Sequence, residues 1–412
     1  MHEPSVANAS GFRTFAALSY PNYRLWFFGQ MTSLFGTWMQ STAQGYLVYQ
    51  LTGSEAWLGY VGFASGAATW IFMLYGGVIA DRIPRRSLLV ITQTLSMVLA
   101  FILSALAFTR VVAPWHIVLL AFALGTVNAF DAPARQSFVL EMVDRHTLVN
   151  AIALNSTMFN AAMAVGPAMG GIAYALFGPG WCFAINGVSF IAVIAALAAM
   201  KLAPRARAPG TAGALVDIRA GLRAVTGDRR ILAIVLLMGA MSLFGMSFVT
   251  LLPAWAVQIL GGDARTNGFL QSARGLGALV AALGIATFAQ GRMRGRAMTI
   301  GSLLFPFLLL LFSLTRSLPL SLAVLVAVGA ANIVVNNLAN FLVQTMTPDA
   351  LRGRVMAVYT LAFFGFMPIG SLLTGTVAAS VGVPLTVVIG ASGTLACAGA
   401  IALAVPSLRK DV

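Results

Sequence analysis

Charged side chains are scarce in this chain, so the places where they cluster or stand alone are where its chemistry is to be sought. Only 9% of the 412 residues are Asp, Glu, Lys or Arg. One cluster runs Gly76-Gly77-Val78-Ile79-Ala80-Asp81-Arg82-Ile83-Pro84-Arg85-Arg86. It sets an acid and three arginines within about two helical turns at the end of a long apolar stretch. Charges packed so tightly beside hydrocarbon belong at a membrane face, not inside it. A second acid, Asp131, falls within an apolar stretch about 24 Å along from Trp115, and Arg135 follows one turn later on the same face. Such a pair can latch helix ends or anchor them statically. Arg274 stands alone, about 12 Å into its stretch counted from Thr266, near the middle of a bilayer. A lone guanidinium there is costly unless it faces protein or a wet cavity. Glu55 and Asp263 fall at the outer edge and Asp81 and Asp131 near the inner one, so the expected partner of Arg274 is the anion of a bound molecule. The competing expectation is snorkelling or pairing with helix carbonyls.

Uncharged polar groups add to this set. Gln30, Gln40 and Gln44 in the first apolar stretch, and Asn332, Asn336, Asn337 and Asn340 in the tenth, include pairs at helical spacing, so each set presents one face. Arg274, Gln40, Gln44, Asn332, Asn336 and Asn340 are the predicted substrate-binding residues, although interhelical hydrogen bonds account for the amides nearly as well. Trp38, Tyr46 and Phe63 are candidate aromatic contacts. Catalytic chemistry finds no support. His2, His116 and His146, with Cys182 and Cys397, form no triad and no metal-ligand spacing, and a Walker-type phosphate loop is lacking. Neither an enzyme, a metal site nor a cofactor is expected.

The elements that must position these residues follow from composition. At 59% hydrophobic, the chain would leave large apolar surfaces exposed in water. Apolar stretches of spanning length run near Phe27–Val48, Trp57–Ile79, Leu88–Phe108, Trp115–Val139, Leu148–Phe177 and Cys182–Leu202. Six more run near Ile231–Ile259, Thr266–Phe288, Ala297–Leu314, Leu320–Met346, Val355–Val381 and Leu385–Val405. The predicted fold is an all-α polytopic membrane protein with about twelve transmembrane helices in two pseudo-symmetric six-helix bundles. The net charge of +14 does not form one basic patch, which argues against nucleic acid. With the N-terminus placed in the cytoplasm, the inner segments collect all of the 25 basic residues except Arg110, Arg265 and Arg316, which fall outside, and Arg274. That bias predicts both termini inside. The first twenty residues lack the pattern of a removable signal peptide.

Between the sixth and seventh spans the composition turns Arg-, Ala- and Gly-rich, and Leu215, Ile218 and Leu222 then recur at helical spacing. This predicts three parts: a six-helix bundle over 1–203, a cytoplasmic linker over 204–230 with a short amphipathic helix on the membrane surface, and a second bundle over 231–412. The halves match at a separation of about two hundred residues, as in duplicated transporter folds. Gly291-Arg292-Met293-Arg294-Gly295-Arg296 answers the first-half cluster, and Met367-Pro368 answers Gly166-Pro167.

The Gly76–Arg86 cluster resembles the loop between the second and third helices of the major facilitator superfamily, whose signature reads Gly-x-Leu-Ala-Asp-Arg-x-Gly-Arg-Arg. Gly77, Ala80, Asp81, Arg82, Arg85 and Arg86 match, while Pro84 replaces glycine and Ile79 replaces leucine. Asn22-Tyr23-Arg24-Leu25-Trp26, Gly36-Thr37-Trp38-Met39-Gln40, Leu51-Thr52-Gly53-Ser54, Ala132-Pro133-Ala134-Arg135-Gln136 and Arg352-Gly353-Arg354-Val355-Met356 are similar to the branch holding the enterobactin exporter and macrolide-efflux proteins. Gly166-Pro167-Ala168-Met169-Gly170-Gly171 is similar to the Gly-Pro-x-x-Gly-Gly motif that the family associates with antiporters. The resemblance implies gating roles for Gly77, Asp81, Arg82, Arg85, Arg86, Asp131, Arg135, Gly166, Pro167, Gly170 and Gly171. It further implies that Asp131 meets the arginines of the loop and that Asp81 faces the start of the eleventh span. The small residues of the antiporter-type motif permit close helix contact, and Pro167 frees a carbonyl and bends its helix.

Together these readings predict a monomeric secondary active transporter of a bacterial cytoplasmic (inner) membrane. It would export a small amphipathic or anionic molecule, drug-like or siderophore-like, by alternating access, with protons as a candidate coupling ion. A lipid or lysophospholipid flippase of the same fold, and a non-transporting membrane sensor or scaffold, are the alternatives.

Overall fold

Proline opens and glycine closes several of the apolar stretches, and the helices of the computed structural model follow those marks. The structure describes residues 13–201, 214–288 and 294–409, without the side chains of 13–14, 73–74, 76–78, 80–82, 214–218, 285–288 and 409. The segments 204–213 and 291–293, and the side chains of Gly77, Asp81 and Arg82, therefore lie outside the described residues.

Six helices form the first half: α1 (Pro21–Thr52), α2 (Glu55–Arg82), α3 (Arg85–Phe108), α4 (Pro114–Phe138), α5 (Leu148–Phe177) and α6 (Pro179–Ala199). A shorter α7 (Ala214–Gly227) precedes the second six: α8 (Arg229–Ile259), α9 (Ala264–Phe288), α10 (Arg294–Ser313), α11 (Leu318–Met346), α12 (Asp349–Val381) and α13 (Val383–Ala404). The shortest of the twelve long rods, α10, has 20 residues, which at 1.5 Å per residue still crosses about 30 Å of hydrocarbon. Nine of them, among the described residues, are long and apolar enough to span a membrane; α1, α2 and α9 fall outside that set. The protein is an all-α polytopic membrane protein.

Matching devices recur in the two halves. Gly178 (φ 84°) turns the chain from α5 into α6, and Gly382 (φ 87°) turns it from α12 into α13; each occupies a left-handed region that side chains disfavour. Pro167 lies inside α5 and Pro368 inside α12. Within the first half α1 packs on α5 and α6, α2 on α4, and α3 on α4 and α6. In the second, α9 packs on α11, and α10 on α11 and α13. Two seams join them, α5 to α9 and α2 to α12. Asp228 caps α8 by accepting from the Arg230 and Ile231 amides at 2.8 and 3.4 Å. Beyond Ala240 this helix is irregular, with π turns at Met241–Gly245 and Trp255–Ile259, a form of backbone frequent at functional sites.

Of the predicted apolar face of α7, Leu222 is exposed, and the side chains of Leu215 and Ile218 lie outside the described residues; the helix is held to the second bundle by an adjacent side. It packs on the start of α12, where a Cβ at Gly221 would lie 2.8 Å from the Arg354 carbonyl carbon and 3.1 Å from Val358. Val225 on the same side is only 1% exposed. The glycine lets two backbones meet, so this side of the helix packs on protein.

Candidate substrate site and gates

Asn267, Gln271 and Arg274 succeed one another on α9 at steps of four and three, which puts them within roughly 60° of one another around the helix. Glycines flank this polar face. On one side Gly268 and Gly275 meet α5: a Cβ at Gly268 would lie 2.5 Å from the Pro167 carbonyl oxygen, and one at Gly275 would lie 2.7 Å from Ala164 Cα. Gly275 also abuts the Met163 carbonyl, the group left without its helical donor by Pro167. On the other side Gly277 abuts Val326 of α11, and Gly329 of α11 abuts the backbone of Arg274. The polar face therefore looks between α5 and α11 toward α1. There Asn267 Nδ2 donates to the Thr42 carbonyl at 3.5 Å, Thr42 Oγ1 donates to Gln271 Oε1 at 3.4 Å, and Gln271 Nε2 donates to Asn267 Oδ1 at 3.2 Å. Arg274, one turn further inward, is 8% exposed with its Nε buried and unbonded. Its guanidinium makes no hydrogen bond or ion pair with any described residue.

The other predicted binding residues divide. Asn332, Asn336 and Asn340 continue inward from Gly329 on α11. The Oδ1 of Asn332 is buried without a partner, Tyr359 of α12 donates its O–H to the Asn336 carbonyl at 3.4 Å, and Gln344 donates to Asn340 Oδ1 at 2.5 Å. Gln40 instead faces α6, accepting from Asn186 Nδ2 at 2.7 Å, so its carbonyl is occupied by an interhelical bond. Gln44 and Gln30 are buried. Trp38 packs its Cβ on Gly166 and its ring against Phe159 at 5.8 Å, Tyr46 pairs with Tyr174 at 5.1 Å, and Phe63 is exposed. Asn267, Gln271 and Thr42 were absent from the sequence prediction, although the spacing 267, 271, 274 signals one polar face.

The glycines of the antiporter-type motif bring three helices together at the outer end, away from the chain termini. A Cβ at Gly166 would lie 2.6 Å from Trp38 Cβ, one at Gly170 would lie 2.8 Å from the Met39 carbonyl oxygen, and one at Gly171 would lie 3.1 Å from Gly268 Cα. Ala168 N donates to Ser272 Oγ at 2.8 Å across the seam. The second seam is built alike. A Cβ at Gly59 would lie 2.9 Å from the Ser371 carbonyl oxygen, and one at Gly375 would lie 2.7 Å from that of Glu55. Glu55, 7% exposed, closes its outer end by accepting from Gln258 Nε2 at 2.6 Å. Both seams part inward. The α5 face that is buried at Pro167 and Asn160 continues through Ser156 and Ala153, both exposed, to Val149, 77% exposed. On α12 the buried line Gly375, Ser371, Pro368 continues as Phe364, 60% exposed.

Asp131 is 3% exposed and takes hydrogen bonds from Thr92 Oγ1 at 2.8 Å and Gln93 Nε2 at 2.9 Å, with Arg135 Nε at 3.4 Å. Its described partners thus belong to α3 and α4. The loop arginines go elsewhere: Arg85 pairs with Glu141 at 2.6 Å, and Arg86 donates to the Ala198 carbonyl at 2.8 Å. This corrects the implied pairing of Asp131 with Arg85 and Arg86; Glu141, at the end of the fourth span, is the nearer acid. Among the described residues no group of three His, Cys, Asp or Glu is placed to hold a metal.

The profile of the transmembrane secretion effector family matches residues 12–411. The chain belongs to that family, within the major facilitator superfamily. Relatives include the multidrug efflux pump Tap of Mycolicibacterium fortuitum, 27% identical over 93% of this chain and 95% of that protein. The staphyloferrin A transporter of Staphylococcus aureus is 22% identical over 84% and 87%, and the enterobactin exporter EntS of Shigella flexneri 24% over 87% and 85%. The nucleoside transporter NupG superimposes with a TM-score of 0.70 at 17% identity, covering 94% of this chain and 98% of its own, and a bacterial homologue of the lysosomal transporter Spinster with 0.68 at 12%, covering 98% and 97%. These two likenesses concern the fold alone. As a member of the secretion effector family the protein is a multi-pass membrane transporter and not an enzyme.

Proposed function

We propose that this protein is a monomeric secondary active exporter of small amphipathic or anionic molecules, working by alternating access across a bacterial inner membrane with both termini cytoplasmic. The observation that carries the reading is Arg274: a buried, unpartnered guanidinium where α1, α5, α9 and α11 meet, below two seams packed tight at their outer ends. It supplies positive charge for a carboxylate, phenolate or phosphate, with the Asn332, Asn336 and Asn340 face beside it. Residues 1–203 and 231–412 are the two rocking units, joined by 204–230. The basic inner segments support the orientation, and the parting of the seams toward the termini fits a state open to the cytoplasm. The efflux and siderophore-export names of the relatives support the direction.

Asp81, the loop arginines and the Asp131–Arg135 pair act as inner-end gating groups in this reading, and Asp131 is the candidate for any proton-linked behaviour. Glu55 and the glycine seams form the outer gate. The test is flux into inverted vesicles, with and without an imposed proton gradient, for a panel of anionic drugs, hydroxycarboxylates, neutral drugs and lysophospholipids. Uptake of anionic amphiphiles supports the reading; movement of lysophospholipids alone would replace it by flipping, and no gradient dependence would remove the proton.

A further inference from the structure

We propose that Arg274 holds a small monovalent inorganic anion, chloride foremost, whenever substrate is absent, and that the anion and an anionic substrate exclude one another. This rests on the reading of Arg274 as the charge of the substrate site. A guanidinium offers five N–H donors. Among the described residues none of them is bonded, Nε is sealed from solvent, and no carboxylate pairs with the group. A buried cation in that condition is heavily penalised, and the backbone that carries it is fixed. The Arg274 backbone is pinned against Gly329, and the next residue, Gly275, is pinned against Met163 and Ala164. With no carboxylate within reach among the described residues, the charge draws its neutralisation from solution.

A small spherical anion needs only one edge of the guanidinium, so the charge that takes a substrate oxyanion also takes a halide. Backbone from α5 and α11 walls the root of the side chain through the glycine contacts. Asn332 lies one turn past Gly329, and helical side chains lean toward the N-terminus, which brings its amide back toward Arg274. That amide makes no hydrogen bond with any described residue, and half a turn about its last bond puts NH2 where Oδ1 is buried. A guanidinium edge and an amide NH2 together make a halide site. Gln271, whose amide is engaged with Asn267 and Thr42, closes the outer side.

Purified full-length protein in nanodiscs is titrated with sodium chloride or bromide against sodium gluconate at constant ionic strength, following the melting temperature. The expected result is a saturable rise for the wild type, no anion-specific rise for Arg274→Gln, a weaker one for Arg274→Lys, and a several-fold higher half-saturation for Asn332→Ala. An anionic substrate should lose affinity about tenfold when chloride is raised from zero to nine times its own dissociation constant, while a neutral substrate keeps its affinity. A wild type indifferent to chloride, or an Arg274→Gln protein with the same chloride dependence, overturns the inference. If chloride has no effect yet Arg274→Gln still loses anionic flux, the halide site fails and the substrate reading stands. If chloride binds at Arg274 but the substitution leaves anionic flux unchanged, the substrate reading fails and the halide site stands.

Discussion

Gly268→Ala should force the outer seam between α5 and α9 apart. The added Cβ would lie 2.5 Å from the Pro167 carbonyl oxygen, 3.0 Å from Gly171 Cα and 3.1 Å from Gly171 N. All three are backbone atoms, so no side chain can swing aside, and relief requires the helices to separate by roughly the 0.8 Å missing from an ordinary carbon–oxygen contact. Overpacking of this kind costs about 1–3 kcal/mol, and the cost falls only on the outer-closed state. The equilibrium should move toward outer-open by a factor of about 5 to 150. Gly284→Ala is the control, on the same helix toward its inner end, where an added Cβ meets nothing within 4 Å. The assay is the distance distribution between spin labels at the outer ends of α5 and α9 in nanodiscs. Gly268→Ala should lengthen the population and Gly284→Ala should not. Equal distributions in the two variants would refute the claim that this glycine contact holds the seam shut.

Three further predictions concern the acids. Glu55→Ala leaves the Gln258 amide without its acceptor, so outer closure should weaken by about 1–3 kcal/mol, read as greater thiol labelling of a cysteine placed at Thr42. Asp131→Asn keeps a hydrogen-bonding group for Thr92 and Gln93 but loses the charge facing Arg135. It should flatten the pH profile of flux at matched abundance, and an unchanged profile together with an unchanged gradient dependence would exclude the proton-linked role. Asp81→Asn should slow flux without lowering membrane abundance; equal rates would count against gating.

Much of the architecture was legible because length and apolar composition decide spanning helices almost alone. The observed rods run past the predicted apolar stretches, as with Pro21–Thr52 against Phe27–Val48, since turns continue into the interfacial region. The site was legible only where a residue was anomalous by itself. Arg274 drew notice as a charge without a partner at depth. Gln40 was assigned to the cavity because a helical wheel shows that a face is polar but not which neighbour it meets; the answer is Asn186, 146 residues away. Gln271 and Asn267 escaped notice for the converse reason, being ordinary amides whose meaning comes from Thr42 on another helix. Arg85 could not be paired with Glu141 from sequence because α4 gives way to a 3-10 turn at Val139–Glu141 that carries the acid toward the loop. The periodicity of Leu215, Ile218 and Leu222 showed the apolar face of α7 but not its contact with α12, which rests on a single glycine, Gly221, on an adjacent side.

The most direct test of the central claim is flux in proteoliposomes of one anionic substrate and its neutral isostere, for the wild type and Arg274→Gln at matched abundance. Loss of a charge-assisted hydrogen bond is worth about 1.5–3 kcal/mol. The account therefore predicts that kcat/KM for the anion falls about 10- to 150-fold, that the neutral isostere is little changed, and that Arg274→Lys recovers part of the loss. An equal effect on both substrates, or none on the anion, would contradict it.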